Sequence, residues 1–462
     1  MSSESTVAPT RRDALKVTGG VAVAAGFGLS GLYAGESNTI NIALVGCGGR
    51  GTGAVADALS TTQGPVKLVA MADAYENRLK SSFNSLSNNR RIKDKIAVTD
   101  DTKFTGFDAY KKAVDSLSTG DVLILATPPA FRWVHFGYAI EKGVNVFMEK
   151  PVCVDGPSAR KMFDLGEKSV QKKMKVGVGL MCRHCLYRNE MIKRVRDGAI
   201  GDIVLLRAYR LGGPTGNLPV PRRPAKADEL EYQIHHFHGF LWASGGCYSD
   251  FLIHNIDESC WFKGDWPVKA QSVAAREYRF NPKNPKEEWV DQNLDAYATE
   301  FTFPDGTKLF MEGRTIDGCH QEFASYCHGT KGSGRISSGG HWPTSCRLFK
   351  TQSLNDKDTI WDCGEETESP YLTEWQDLMK AIRQDKPYNE VERGTKASLV
   401  TAMGRMSAHT GKVITYDQIL HHDHEFAPNV DKLVLGGEPP VKPDADGRYP
   451  QPLPGMKTKR EY

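Results

Sequence analysis

The chain has 462 residues, 40% of them apolar and 25% charged, which is enough for two domains with separate cores and excludes a disordered chain. Lys and Arg number 59 against 56 Asp and Glu, a net charge of +3, so the strong basic bias that nucleic acid or an anionic membrane surface would select is absent and a small-molecule partner is expected. The 10 cysteines follow no repeating spacing, and the one C-x-x-C, Cys182 to Cys185, has no second pair to complete a zinc site, so no metal is expected.

Residues 1–37 read as a targeting segment. Thr10-Arg11-Arg12-Asp13-Ala14-Leu15-Lys16, followed by a Gly- and Ala-rich apolar run from Val17 to Leu32, resembles a twin-arginine signal. The resemblance implies export of the folded chain by the twin-arginine machinery to the periplasm or cell envelope. Cleavage after Ala34 and retention as a membrane anchor both stay open, because Leu32 is not the small residue usual two positions earlier. A short buried helix is the other reading, although so many glycines weaken a helix.

From Asn38 onward, strands alternate with helices. Ile40 to Val45, Val66 to Ala72, Asp121 to Ala126 and Asn145 to Met148 read as buried strands, with helices such as Phe131 to Lys142 between them. The pattern predicts a doubly wound parallel sheet over residues 38–160. A strand over Lys175 to Met181 and a helix over Leu186 to Asp197 lead into a second α+β domain, residues 161–420. There the strands are long and alternating: Ile203 to Arg210, Val268 to Arg279, and Leu294 to Phe303, which turns at Pro304-Asp305-Gly306 into Lys308 to Arg314. This predicts a large open-faced, mainly antiparallel sheet, whose free face suits a substrate or a second subunit. Helices are expected over Leu372 to Ile382 and Gly394 to Thr410, and residues 421–462 as a tail wrapping the surface.

The stretch Asn41-Ile-Ala-Leu-Val-Gly-Cys-Gly-Gly-Arg-Gly51 ends a strand in G-x-G-x-x-G and opens a helix that includes Ala54 to Leu59. Gly46 allows the tight turn, Gly48 lets a pyrophosphate approach the backbone, and Gly51 packs helix on strand, while the helix N-terminus attracts phosphate charge. Asp73 ends the next strand, where a carboxylate accepts hydrogen bonds from adenosine ribose hydroxyls. Asp73 would repel a 2′-phosphate and no Arg follows it at once, so NAD is favoured, with NADP as the alternative.

Three further motifs resemble those of the Gfo/Idh/MocA oxidoreductases. Met148-Glu149-Lys150-Pro151 matches the family's Glu-Lys-Pro beside the nicotinamide, and Ala126-Thr127-Pro128 with His135 resembles its Thr-Pro loop and following His. Gly245 to Asp257 resembles its G-G-x-x-x-D-x-x-x-H-x-x-D segment, giving Asp250, His254 and Asp257. The resemblance runs from about Asn41 to Ile419. It implies a Rossmann domain plus an open-sheet domain, cofactor contacts from Thr127, Pro128, His135, Glu149 and Lys150, a substrate-contacting Arg at Arg183, and sugars or inositols as substrates.

The residue chemistry points the same way. Oxidising a secondary alcohol needs a base for the hydroxyl proton and a cation on the same oxygen while a hydride leaves carbon. Asp250, His254 and Asp257, at i, i+4 and i+7, share one helical face. The expectation is therefore His254 as base, Asp250 as its orienting partner, Lys150 as the polarising cation, and Arg183 and Asp257 on substrate. The plainer alternatives are a solvated Lys150 at a strand end, a packed His135, and an Asp-His-Asp face that is a buried network or a metal site. His235, His236 and His238 lie near the expected mouth.

The leading functional expectation is an exported NAD(P)-dependent oxidoreductase acting on a secondary hydroxyl of a sugar, sugar derivative or inositol. The alternatives are a glycosidase resembling the NAD-dependent α-N-acetylgalactosaminidases, which oxidise the sugar transiently, and a cofactor-binding scaffold without turnover. NAD is scarce outside the cytoplasm, so an exported enzyme would carry a tightly bound cofactor and work in a redox-neutral cycle.

Overall fold

The computed structural model describes residues 38–343, 345–365 and 368–462. The proposed twin-arginine segment lies outside these residues. No helix among the described residues is long and apolar enough to cross a membrane.

The first sheet is six-stranded and wholly parallel, built from β1 (Ile40–Val45), β2 (Val66–Asp73), β3 (Lys103–Thr105), β4 (Val122–Leu125), β5 (Asn145–Met148) and β6 (Val176–Val178). Their order, β3-β2-β1-β4-β5-β6, reverses direction between β1 and β4, the crevice where doubly wound sheets bind ligands. Ile42, Leu44, Leu123 and Ile124 are fully buried, as expected of strands covered on both faces. The sheet runs one strand past the boundary drawn at 160. The strand expected over Lys175 to Met181 is shorter, because Met181–His184 turns into a 3₁₀ helix.

The second sheet has nine strands, in the order β16-β15-β14-β13-β7-β12-β11-β8-β17. They are β7 (Ile203–Gly212), β8 (Lys269–Ala275), β11 (Ala296–Thr302), β12 (Lys308–Thr315), β13 (Glu322–Gly329), β14 (Ser333–Ser338), β15 (Arg347–Phe349), β16 (Thr359–Asp362) and β17 (Ile414–Thr415), with β9 (Phe280–Asn281) and β10 (Asn284–Glu288) forming a separate ribbon. The β7–β12 pair is parallel and the rest are antiparallel. β8 stops at Ala275 rather than at Arg279. The Arg276 guanidinium turns inward there to the carbonyls of Asp291 and Asn293, at 2.6 and 3.0 Å.

Helix Gly246–Lys263 is buried almost throughout and joins the two halves. A helix buried on all faces needs partners on all of them. Asn255 donates to Ser325 Oγ of β13 at 3.0 Å, while Ser249 meets Arg405 of helix Val391–Thr410 at 2.8 Å. The C-terminal tail does more than wrap the surface. Its Glu461 is inserted beneath it, pairing with the wholly buried Arg405 at 2.9 Å and with His409 at 2.7 Å.

Candidate active site

β1 is followed at once by Gly46, whose amide donates to Ala72 O of β2 at 2.9 Å. Its φ of +100° and the position its Cβ would take, 2.6 Å from Ala126 C, exclude any side chain. A Cβ at Gly51 would lie 2.0 Å from Gly46 O, so this glycine sets the packing of helix Gly49–Leu59 on the strand. Around Gly48 the nearest atom to such a Cβ is Arg78 Nη1 at 4.0 Å, which leaves the backbone open to an approaching anion. Asp73 closes the turn. Its Oδ2 accepts from Cys47 N at 2.7 Å and its Oδ1 from Tyr75 N at 2.9 Å. Burial raises its pKa, against the pull of these amides and of Arg78.

Gly46, Gly48, Asp73, Thr127, Pro128 and His135 line one cleft at the carboxyl edge of the first sheet. Its apolar walls include Tyr75, Phe107, Tyr110 and Phe131, suited to flat rings, while the glycine turn supplies a phosphate cradle. These residues fit a dinucleotide. Thr127 Oγ1 lies 3.3 Å from His135 Nδ1, and the imidazole sits 4.3 Å from the Tyr110 ring centroid. Burial, and then Arg132, lower the His135 pKa to about 3, so the ring is neutral at working pH. The second domain roofs the cleft: Ile234 and Phe237 face into it, and His235 stacks on Tyr75 at 4.6 Å. Glu149 does not line the cleft. It pairs with Arg50 at 3.0 Å, on the side where a Cβ at Gly179 would come within 2.7 Å of its carboxylate.

Lys150 leaves the end of β5 and donates from Nζ to Asp250 O at 2.6 Å, with Asp250 Oδ1 at 3.4 Å. Asp250 Oδ2 lies 3.2 Å from His238 Nε2. His238 Nδ1 meets Asn217 Oδ1, and the Asn217 amide is fixed by donating to His235 O at 2.7 Å. Burial pushes the Asp250 carboxyl up, but the Lys150 charge and the His238 contact outweigh it and hold the group well below the usual carboxylate range.

Two expectations are corrected by this geometry. Asp250 orients His238 and Lys150, not His254. Side chains on a helix lean toward its N-terminus, so the Asp250 carboxylate projects away from the turn that bears His254. His254 instead packs against His341, with ring centroids 4.2 Å apart, and its buried Nδ1 has no hydrogen-bond partner among the described residues. Burial, then Lys150 and Arg210, depress its pKa, so the ring is neutral. Arg183 and Asp257 are given to each other, with contacts of 2.8, 2.9 and 3.2 Å, and Asp257 is buried. Arg183 borders a separate groove with Trp261 and Trp266.

Three contributors were missed in the sequence. Arg78, five residues after Asp73, lines the cleft beside it. Arg210 of β7, lying 3.8 Å over the Phe323 ring, adds positive potential at His254, and His341 packs on that imidazole. A helix following the acidic strand end was the signal for Arg78. Nothing in the local pattern singled out the other two.

Residues 40–179 match the family model described as an oxidoreductase family, NAD-binding Rossmann fold. The chain is 21% identical over 174 residues to the rhizopine catabolism protein MocA of Rhizobium meliloti, a match covering 37% of this chain and 47% of that protein. It is 26% identical over 113 residues to inositol 2-dehydrogenase of Corynebacterium glutamicum, covering 24% of this chain and 33% of that one. The matches thus span about half or less of the length of these curated relatives. Solved structures share the fold over 82% of the chain. They include myo-inositol 2-dehydrogenase from Lactobacillus plantarum (22% identity, TM-score 0.59, 99% of that chain). Aldose-aldose oxidoreductase from Caulobacter crescentus (16%, 0.60, 99%) is another. A third is scyllo-inositol dehydrogenase from Lactobacillus casei with bound NAD(H) and scyllo-inositol (19%, 0.57, 99%).

Proposed function

We propose that this chain, whose residues 40–179 are the NAD-binding Rossmann domain of a Gfo/Idh/MocA family oxidoreductase, transfers hydride between NAD and a secondary hydroxyl of a sugar, sugar derivative or inositol. The observation that carries the reading is Lys150 held by Asp250 at the junction of the two domains, just past the strand neighbouring the one that leads into Thr127 and Pro128. The dinucleotide, when bound, supplies the hydride acceptor or donor. Lys150 Nζ polarises the reacting oxygen, and Asp250, ionised and flanked by His238, keeps that ammonium in place. The candidate base is His254, neutral and with an Nδ1 that has no hydrogen-bond partner among the described residues, free to receive the hydroxyl proton. Incubating the protein with inositols, aldoses and glycosides, with and without added NAD, and weighing the products tests this. Conversion of none of them would overturn it.

A redox-neutral cycle, in which the same bound cofactor is oxidised and reduced in turn, is favoured by the roof over the cleft. Besides Ile234 and Phe237, residues Leu433 to Leu435 of the tail stand beside Phe107 and Tyr110 at its rim, narrowing the exit. This fits the inferred twin-arginine export, and either paired sugar oxidation and reduction or glycoside cleavage would satisfy it. NAD rather than NADP is the preferred occupant, from Asp73. The nine-stranded sheet leaves Val273 and Phe310 exposed, and we assign that face to a second copy of the chain. Sedimentation of the purified protein reads this directly, and a monomer at micromolar concentration would contradict it.

A further inference from the structure

We propose that Cys182, His254 and His341 bind one zinc ion. The three come from separate parts of the chain: the 3₁₀ turn Met181–His184, helix Gly246–Lys263 and the loop following β14. One ligand atom from each lies within 4.8 Å of the others, and Cys182 Sγ is 3.8 Å from His341 Nδ1. Tetrahedral zinc, with Zn–S of about 2.3 Å and Zn–N of about 2.0–2.1 Å, places sulfur and nitrogen roughly 3.6 Å apart. The Cys182–His341 pair already has that spacing, and the widest separation closes by roughly 1 Å through side-chain rotation. One thiolate and two imidazoles are a donor set that zinc favours over calcium or magnesium.

The surroundings support an ion there. His254 Nδ1 is buried without a hydrogen-bond partner among the described residues, an unsatisfied acceptor or donor that a metal or its bound water would answer. The loop carrying His341 is pinned, since its carbonyl accepts from Arg188 Nη1 at 3.0 Å. Of the neighbouring cations, Arg188 pairs with Glu258 at 3.0 Å and Lys150 with Asp250, while Arg210 rests on the Phe323 ring. Cys185 is not a fourth ligand. Its sulfur accepts from Arg188 N at 3.4 Å and caps the next helix, so the C-x-x-C spacing is coincidental while its first cysteine is used. On binding, the Cys182 thiol gives its proton to solvent and the sulfur electron pair forms the metal bond. Three protein ligands leave a fourth position for water or a substrate oxygen. Zinc there occupies the His254 imidazole, so it would inhibit a reaction that uses this ring as base.

The inference rests on the cluster's geometry and stands independently of the hydride-transfer reading. The test uses the full chain, stripped with a chelator and titrated with Co²⁺ as a spectroscopic probe and with Zn²⁺ in competition with a chromophoric chelator. The expected result is one equivalent of either metal, with a thiolate-to-Co²⁺ charge-transfer band. The band should vanish in Cys182→Ser, and zinc affinity should fall by at least about a hundredfold in His341→Ala, the loss of a direct ligand exceeding the 10–100-fold typical of outer-shell changes. NAD titration of each variant reports folding, because none of the three metal ligands lines the cofactor cleft. Should Cys182→Ser fail to fold, His341→Gln carries the comparison. No band in the wild type, or equal zinc affinity in wild type and His341 variants, would overturn the proposal. Failure to turn over any sugar would not bear on it.

Discussion

Lys150 and Asp250, 100 positions apart, meet where the Rossmann sheet ends and the buried helix of the second domain begins, with Nζ 2.6 Å from the Asp250 carbonyl and 3.4 Å from its carboxylate. The double contact fixes a flexible four-carbon stem. An ammonium so held presents its remaining proton in one direction, which is what polarising a single substrate oxygen demands.

Replacing Lys150 with Ala should lower turnover by on the order of a hundredfold or more while NAD binding persists, the scale of losing a positioned acid–base group. Steady-state kinetics beside a cofactor titration checks this, and unchanged kcat would remove Lys150 from the mechanism.

The pH profile should report His254. Burial, Lys150 and Arg210 all lower its pKa, so the ring stays neutral as pH falls through the ordinary histidine value near 6.5, and kcat should show no acid limb there. Removing the cation that lowers it most, as in Lys150→Met, lets the pKa rise, so an acid limb should enter from below in the residual activity. A wild-type limb close to pH 6.5 would contradict this electrostatic account.

Asp73→Ala should weaken NAD more than NADP. The carboxylate opposes a 2′-phosphate, and its removal leaves Arg78 unopposed on the same cleft wall. Both affinities should fall somewhat, because the turn also loses the acceptor for Cys47 N and Tyr75 N. The readout is the ratio of the two dissociation constants, and an unchanged ratio would remove Asp73 from ribose recognition.

Glu461→Ala should destabilise the fold by about 3–5 kcal/mol, the usual result of leaving one member of a buried ion pair alone. Arg405 is wholly buried and would keep its charge without the carboxylate that now accepts from its Nε and Nη2. Urea unfolding followed by fluorescence measures the shift. A loss below about 1 kcal/mol, the range of surface pairs, would show that the tail is not anchored this way.

The glycine turn, Asp73 and the first sheet were legible in the sequence because each is a local matter: apolar runs of strand length, a backbone conformation that requires glycine, and a carboxylate at a strand end. The cleft lining of Thr127, Pro128 and His135 was implied by the resemblance of that loop to the family's motif, and the structure places all three there. The half of the second sheet built from β13 to β16 was not legible. β13 and β14 carry Ser, Gly and Cys at positions where β-branched residues would have announced strands, and pairing with β7 holds them extended instead.

Spacing along one helix determined that Asp250, His254 and Asp257 share a face, but not what that face meets. Only the tertiary structure decided that Asp250 turns to Lys150 and His238, that Asp257 is consumed by Arg183, and that His254 faces Cys182 and His341. Helical periodicity is set by backbone hydrogen bonds between near neighbours, whereas the partner of each side chain is set by which distant segments pack against that turn. Those contacts span up to 159 residues, the separation of Cys182 and His341, and no local pattern records them.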